Sequence, residues 1–257
     1  MRKSHIGSGD ADHICIRGHD LADDLLDKHD FVDVLCLAIL GHFPDPRLRR
    51  MINNALVASI DHGLTPSALA TRLTLHGAPE SLQGAVAAGL LGAGTRFLGS
   101  AEASAHFLRT ALDGVERPEA LSDAELGAHA HAVVARCRAQ GQKIPGLGHP
   151  IHVHADPRTE RALRIAREDG YFGVHCRFAL QLAAALAHAL GRPMPLNAAG
   201  CKGAVLLDLG LTPEFGKGLA LIGRVAGLVA HAIEERSRPL GQDLWNMASA
   251  ASQAGEE

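Results

Sequence analysis

The stretch from Pro213 to Arg236 constrains the fold more than any other part of the chain. Leu219, Ile222, Val225, Ala226, Val229, Ala230 and Ile233 recur at three- and four-residue intervals and cover one broad face of a helix. A helix that long and that apolar needs other elements to cover it. Further helices are available. Phe31, Val34, Leu35, Ala38 and Ile39 form a second stripe, stopped by Gly41 with Pro44 beyond. Leu48 to Ile60 reads as a helix closed by His62-Gly63. Thr65 and Pro66 supply the N-cap and first position of a short one. Ser81 to Leu91 is rich in Gly and Ala, as is the segment after it, which predicts a close helix crossing. After the turn at Arg117-Pro118, Leu121-Ser122-Asp123 opens a helix to about Arg138. Arg158 to Glu168 and Phe172 to Leu190 follow, the latter ended by Gly191-Arg192-Pro193. Ala204 to Leu209 is ambiguous alone and is assigned to helix from its neighbours. No alternating strand–turn signature is apparent, and Gln253 to Glu257 reads as a polar, fraying end. The fold class expected is all-α.

Composition agrees with this. Of 257 residues, 47% are hydrophobic but only 4% aromatic, so the core must be aliphatic, and Ala and Leu favour helix over sheet. A net charge of −3 gives no basic footprint for nucleic acid. No uninterrupted apolar run spans a bilayer, and the N-terminus does not read as a signal peptide, so no membrane partner is expected. Five scattered cysteines without Cys-x-x-Cys spacing suggest reduced thiols and a cytoplasmic location. Among sixteen histidines, His149, His152 and His154 lie close together, and so do His129 and His131. Neither group has a second ligand cluster at motif spacing, so no metal site is expected.

The chemistry concentrates in Lys143-Ile144-Pro145-Gly146-Leu147-Gly148-His149-Pro150 and Asp156-Pro157-Arg158. A Pro-Gly-x-Gly turn cannot continue a helix, admits close backbone approach, and delivers one histidine at its end. Asp156 is placed to cap the helix that starts at Pro157. A plain interhelical turn and a backbone cradle beside an acid–base group both fit these residues alone.

These segments resemble the central motif of the citrate synthase superfamily. Ile16-Arg17-Gly18-His19-Asp20-Leu21 is similar to its N-terminal Tyr-Arg-Gly-Tyr segment. Gly223-Arg224-Val225-Ala226-Gly227-Leu228-Val229-Ala230-His231 with Glu234 is similar to its C-terminal core helix, and Arg238-Pro239 to the basic segment after it. The short length, with Leu64-Thr65-Pro66 and the run from Gly77 to Gly84, resembles the citryl-CoA lyase branch. The resemblance implies a citrate synthase-like all-α homodimer. A large helical domain (1–99 and 213–257) would accompany a smaller CoA-binding helical domain (100–212) that closes over the ligand. It implies that Pro145, Gly146, Leu147 and Gly148 lie against the CoA adenine, and that His149 is the catalytic acid–base group. It also implies that Arg224 and Arg238 bind substrate carboxylate, Arg238 reaching into a partner subunit. The alternative for Arg224 is a structural ion pair with Glu234 or another acid, and ligand binding is the preferred reading because a buried arginine needs an anion. Asn197 could contact ligand or hold its turn by side-chain bonds. His231, on the face of Arg224, reads as a packed, hydrogen-bonded histidine.

Three departures qualify the resemblance. Ala199 stands where the family carries a catalytic aspartate, within Asn197-Ala198-Ala199-Gly200-Cys201-Lys202-Gly203. Asp208, His19 and Lys202 are the candidates to replace it. Pro150 follows the histidine where many relatives have arginine. Phe97-Leu98-Gly99-Ser100-Ala101 lacks a histidine found in the synthases, which favours the lyase branch. The expected function is a citryl-CoA lyase-like carbon–carbon lyase, cleaving a hydroxy-carboxyacyl-CoA to acetyl-CoA and a 2-oxo acid. Its CoA thioester would be the substrate, no cofactor would be required, and a ligase subunit is a candidate partner. The alternatives are a condensing acyltransferase and a CoA-binding protein that has lost catalysis.

Overall fold

A computed structural model describes residues 4–94, 98–148 and 153–253. His149, Pro150, His152 and Phe97 lie outside the described residues. The chain falls into two compact units, one ending at Asn54 and the other beginning at Ala55.

The first unit opens with a small antiparallel sheet, β1 (Gly7–Gly9), β2 (Ile14–Ile16) and β3 (His19–Asp20), in the order β1-β2-β3. No strand was expected here, because segments of two or three residues are too short to show alternation. The Arg17-Gly18 pair is a two-residue hairpin loop between the paired Ile16 and His19. Both residues have positive φ (52° and 85°), as a primed turn requires. The Arg17 guanidinium donates to the carbonyl of Ala38 at 3.0 and 2.9 Å. Ala38 lies in α1 (Phe31–Leu40), which a reciprocal capping box of Asp30 and Asp33 starts and a left-handed Gly41 ends. The α1 boundaries match the sequence, but its face does not. Val32, Asp33, Cys36 and Leu37 are buried, whereas Phe31 and Ile39 of the expected stripe are exposed. Asp33 belongs inside because its carboxylate is held by the His29 ring and the Asp30 amide.

The chain enters the second unit within α2 (Pro46–Val57). It continues through α3 (Pro66–Gly77), α4 (Leu82–Leu91), α5 (Ser100–Leu112), α6 (Asp123–Ala139), α7 (Pro157–Glu168) and α8 (Val174–Leu190). Then come α9 (Ala198–Asp208), α10 (Pro213–Ser237) and α11 (Gly241–Gln253). Neither α5 nor α11 was delimited from sequence. Within this unit α3 packs on α4, α5 on α9, α6 on α8, and α10 against α3, α4, α5 and α9.

α10 is long and apolar enough, by length and composition, to cross a bilayer. It carries Arg224 and Glu235 on its buried face, beside Leu219, Gly223, Gly227, Leu228 and Ala232. Of the expected stripe, Leu219 is buried but Ala226, Ala230 and Ile233 are exposed. The reason is close backbone approach. A Cβ on Gly223 would meet the Leu56 carbonyl oxygen at 2.6 Å, and one on Gly227 would collide with that of Ile60. Glycine identity, not aliphatic bulk, decides which face turns inward.

A polar network ties α3 to the end of α10. Arg72, 1% exposed, donates to Glu235 at 2.8 Å, to Glu234, and to Nδ1 of His231 at 3.0 Å. That leaves the His231 proton on Nε2, which donates to Asp61 at 3.0 Å. Asp61 in turn accepts from the Gly63 amide. Arg72 therefore holds Glu234, which the sequence had offered to Arg224, and His231 is the packed, bonded histidine expected.

Candidate active site

The Pro145-Gly146-Leu147-Gly148 loop rests on the start of α9. The Gly148 amide donates to the Pro195 carbonyl at 2.7 Å, and the Asn197 amide to that of Gly146 at 3.0 Å. This makes an antiparallel bridge between Leu147 and Leu196. The two bonds flank Leu147, so its own N–H and C=O point away from residue 196. Among the described residues neither has a hydrogen-bond partner. A donor and an acceptor side by side on one residue suit the edge of a heterocyclic base. Gly146 and Gly148 have φ of 86° and 77°. A Cβ on Gly146 would lie 2.5 Å from Ser104 Oγ and 2.6 Å from Gly200 Cα. The glycines are thus needed by the chain's own packing.

Asn197 is the N-cap of α9. Its Oδ1 accepts from the Ala199 and Gly200 amides at 3.0 Å, and its Nδ2 donates to the Gly148 carbonyl at 2.8 Å. Its side chain is committed to holding the turn and the loop together.

Arg224 is 5% exposed and makes no hydrogen bond or ion pair among the described residues. A buried guanidinium without an anion is costly, so the site is built to receive one. Lys202 of α9 and His62 in the loop after α2 lie within electrostatic reach of it, and both also feel Arg158 of α7. Partial burial, then the positive charges of Arg224, Arg158 and Lys202, push His62 below the usual histidine range. Burial, then Arg158 and Arg224, likewise lower the Lys202 ammonium. Asp156, 1% exposed, chelates Arg158 through bonds of 3.0 and 2.8 Å and caps α7 through the Arg158 amide. Sequence reasoning missed His62 and Arg158 as site residues. Arg158 stood within the quoted motif, but only the helix start was read from it; His62 was read as a helix stop.

The candidates to replace the aspartate now separate. Ala199 is on the first turn of α9, and Lys202 follows it by three residues, hence on the same side of the helix. Asp208 closes the other end of α9 and caps α8. It accepts from the Gly173, His175 and Cys176 amides at 2.8–2.9 Å and from His175 Nδ1 at 2.9 Å. Burial raises its pKa, but these bonds outweigh it and leave the carboxyl below its ordinary value. It is a structural anion. Stability from such a group is full above the unfolded carboxylate range and is lost as pH falls through the folded pKa. Asp208→Asn should cost about 2–3 kcal/mol at neutral pH, from the loss of charge-assisted bonds. It should also flatten the acid limb of stability, read by urea unfolding from about pH 5 downward through the carboxylate range. His19 lies in the other unit, edge-on to Phe43. Cys201, beside Lys202, is pushed up to about 12 by burial and then by Asp156, so it is a neutral thiol.

Arg238 is exposed at the C-cap of α10. At 1.5 Å per residue it sits about 20 Å along the helix from Arg224, so the two do not meet within this chain.

Residues 7–243 match the family model for the citrate synthase C-terminal domain. The chain belongs to the citrate synthase family. Citryl-CoA lyase from Hydrogenobacter thermophilus is 33% identical, with a TM-score of 0.81 over 93% of this chain and 88% of that one. ATP citrate lyase from Methanothrix soehngenii, solved with citrate and coenzyme A, is 23% identical, with a TM-score of 0.72 over 92% of this chain and 40% of that one. A probable ATP-citrate synthase of Dictyostelium discoideum is 24% identical over 249 residues, 90% of this chain. The chain spans 38% of the length of that protein. The all-α, citrate synthase-like fold read from sequence is the fold of this family.

Proposed function

We propose that this member of the citrate synthase family is a citryl-CoA lyase-type carbon–carbon lyase that releases acetyl-CoA and a 2-oxo acid. The observation that carries the reading is Arg224, buried on α10 with no anion bound to it among the described residues, and grouped with Lys202 and His62, which Arg158 also faces. A hydroxy-carboxyacyl thioester supplies the missing carboxylates, and a guanidinium receives them bidentately. The likeness to citryl-CoA lyase at 33% identity supports the same choice.

In this reading His149 removes the hydroxyl proton, and the carbon–carbon bond breaks toward the thioester α-carbon. Arg224 and Arg158 hold the carboxylates of the departing 2-oxo acid. Leu147 reads the nucleotide edge through its backbone, and binding energy from that remote contact aligns the reacting end. CoA enters as part of the substrate, and no further cofactor is invoked. The 1–99 and 213–257 portion would form a large domain and 100–212 a small one.

We place the protein in the cytoplasm as a homodimer, with Arg238 serving the partner's site and a ligase subunit supplying citryl-CoA. Exposed apolar side chains support an association surface: Ile233 on α10, and Trp245 and Met247 on α11, are 59–70% exposed. A second reading, a CoA-binding protein without catalysis, draws on Ala199 alone.

The test is incubation with citryl-CoA and detection of acetyl-CoA, alongside His149→Ala. The lyase reading expects turnover by the wild type and a fall of about 100-fold or more in the variant, the usual scale of acid–base catalysis. Saturable binding of every CoA thioester without turnover would favour the second reading.

A further inference from the structure

The geometry points to Lys202 as the acid that delivers a proton to the thioester α-carbon after the carbon–carbon bond breaks. This rests on the lyase reading. Cleavage of a β-hydroxyacyl thioester moves the bonding electrons onto the α-carbon, giving an enolate, while the alkoxide becomes the ketone. The enolate must then gain one proton to become acetyl-CoA. The proton lost from the hydroxyl returns to the donor through the site's base and solvent, so the cycle closes without a redox partner.

The surroundings of α9 narrow the choice of donor. The helices packed against it are α5, α7, α8 and α10. Glu102, the acid of α5, is held by Lys217 of α10 at 3.0 Å. Asp156 chelates Arg158, Glu160 and Glu168 are exposed, and the buried Asp169, at the C-cap of α7 and thus the opposite end from Arg158, has a partner of its own. Asp208 is committed to capping α8, which has no acid of its own. On α10, Glu214 is exposed and pairs with His106, while Glu234 and Glu235 bind Arg72 at the far end of the helix. Arg158 and Arg224 do not surrender protons at ordinary pH. Cys201 is a buried thiol pushed up to about 12, and burial and the neighbouring cations disfavour the charged form of His62.

Lys202 remains. It is half-buried, on the Ala199 side of α9, and has no hydrogen bond or ion pair among the described residues. Burial and the two arginines lower its pKa, which makes the ammonium a stronger acid than a solvated lysine.

The experiment compares Lys202→Met, Lys202→Arg and Ala199→Asp/Lys202→Met on citryl-CoA, with circular dichroism to confirm folding. The Met variant should lose about 100-fold or more in kcat, the scale of a general acid, with KM within about threefold. Lys202→Arg keeps the charge but cannot donate, so it should lose as much. Asp at 199 should restore turnover. In the wild type kcat should fall as pH rises through a value below that of ordinary lysine, and this limb should vanish in the rescued double variant. Activity in Lys202→Arg close to wild type would reduce the residue to a carboxylate contact and overturn the proposal. So would an unchanged kcat in Lys202→Met. A wild type that cleaves no CoA thioester would sink the lyase reading itself, and this role with it.

Discussion

Arg224→Leu is expected to lower kcat/KM for citryl-CoA by about 10²- to several 10³-fold, since removing one partner of a buried ion pair costs about 3–5 kcal/mol. The loss should fall mainly on KM, and the affinity for CoA itself should stay near the wild-type value. The same substitution should raise the unfolding free energy of the unliganded protein by about 1 kcal/mol or more, because it removes a buried cation that has no anion among the described residues. The opposite signs are the diagnostic. Arg224 is 5% exposed, and Glu234, the acid that the sequence offers it, is bound to Arg72. A structural ion pair would predict destabilisation on truncation. Paired kinetics and urea unfolding on one preparation measure both signs, and a drop in apo stability would mean that a protein anion already satisfies the guanidinium.

Gly146→Ala is expected to cost about 2–5 kcal/mol, combining left-handed backbone strain with overpacking. The residue has φ of 86°, and a Cβ would press on Ser104 Oγ and on the backbone of Gly200. Neither neighbour can yield easily. Ser104 is 1% exposed, and Gly200 lies in the first turn of α9, fixed by Asn197. The loop would lift from α9, carrying Leu147 and the start of the segment that leads to His149. CoA affinity should therefore fall with stability, by tenfold or more if about 1.4 kcal/mol of the strain is relieved by displacing the loop. Thermal unfolding and fluorescence titration with a CoA thioester check the two together. Full stability with full affinity would mean that the crossing of Gly146 and Gly200 is looser than described.

Most helix boundaries were legible because their stops are chemical: Gly41 and Gly191 are left-handed caps, and Thr65-Pro66 and Ser122 open helices. Helix faces were less legible. On α1 the Asp33 carboxylate goes inward, and on α10 Gly223 and Gly227 do, because local bonding and backbone approach outrank hydrophobic identity. The hairpin at Arg17-Gly18 hid in strands too short to alternate. At the site, Arg224 was readable as a charge on an apolar helix. His62 and Arg158 were not, since proximity between α2's end, α7, α9 and α10 is a property of packing rather than of spacing. Ranking Asp208 against Lys202 likewise required seeing which carboxylate was already bonded.

The most direct measurement is a crystal structure of the protein with an uncleavable citryl-CoA analogue. The account predicts the nucleotide against the Leu147 backbone, the free carboxylates on Arg224 and Arg158, and the α-carbon within proton-transfer distance of Lys202. An analogue bound elsewhere, or an Arg224 guanidinium facing no ligand atom in the occupied site, would contradict it.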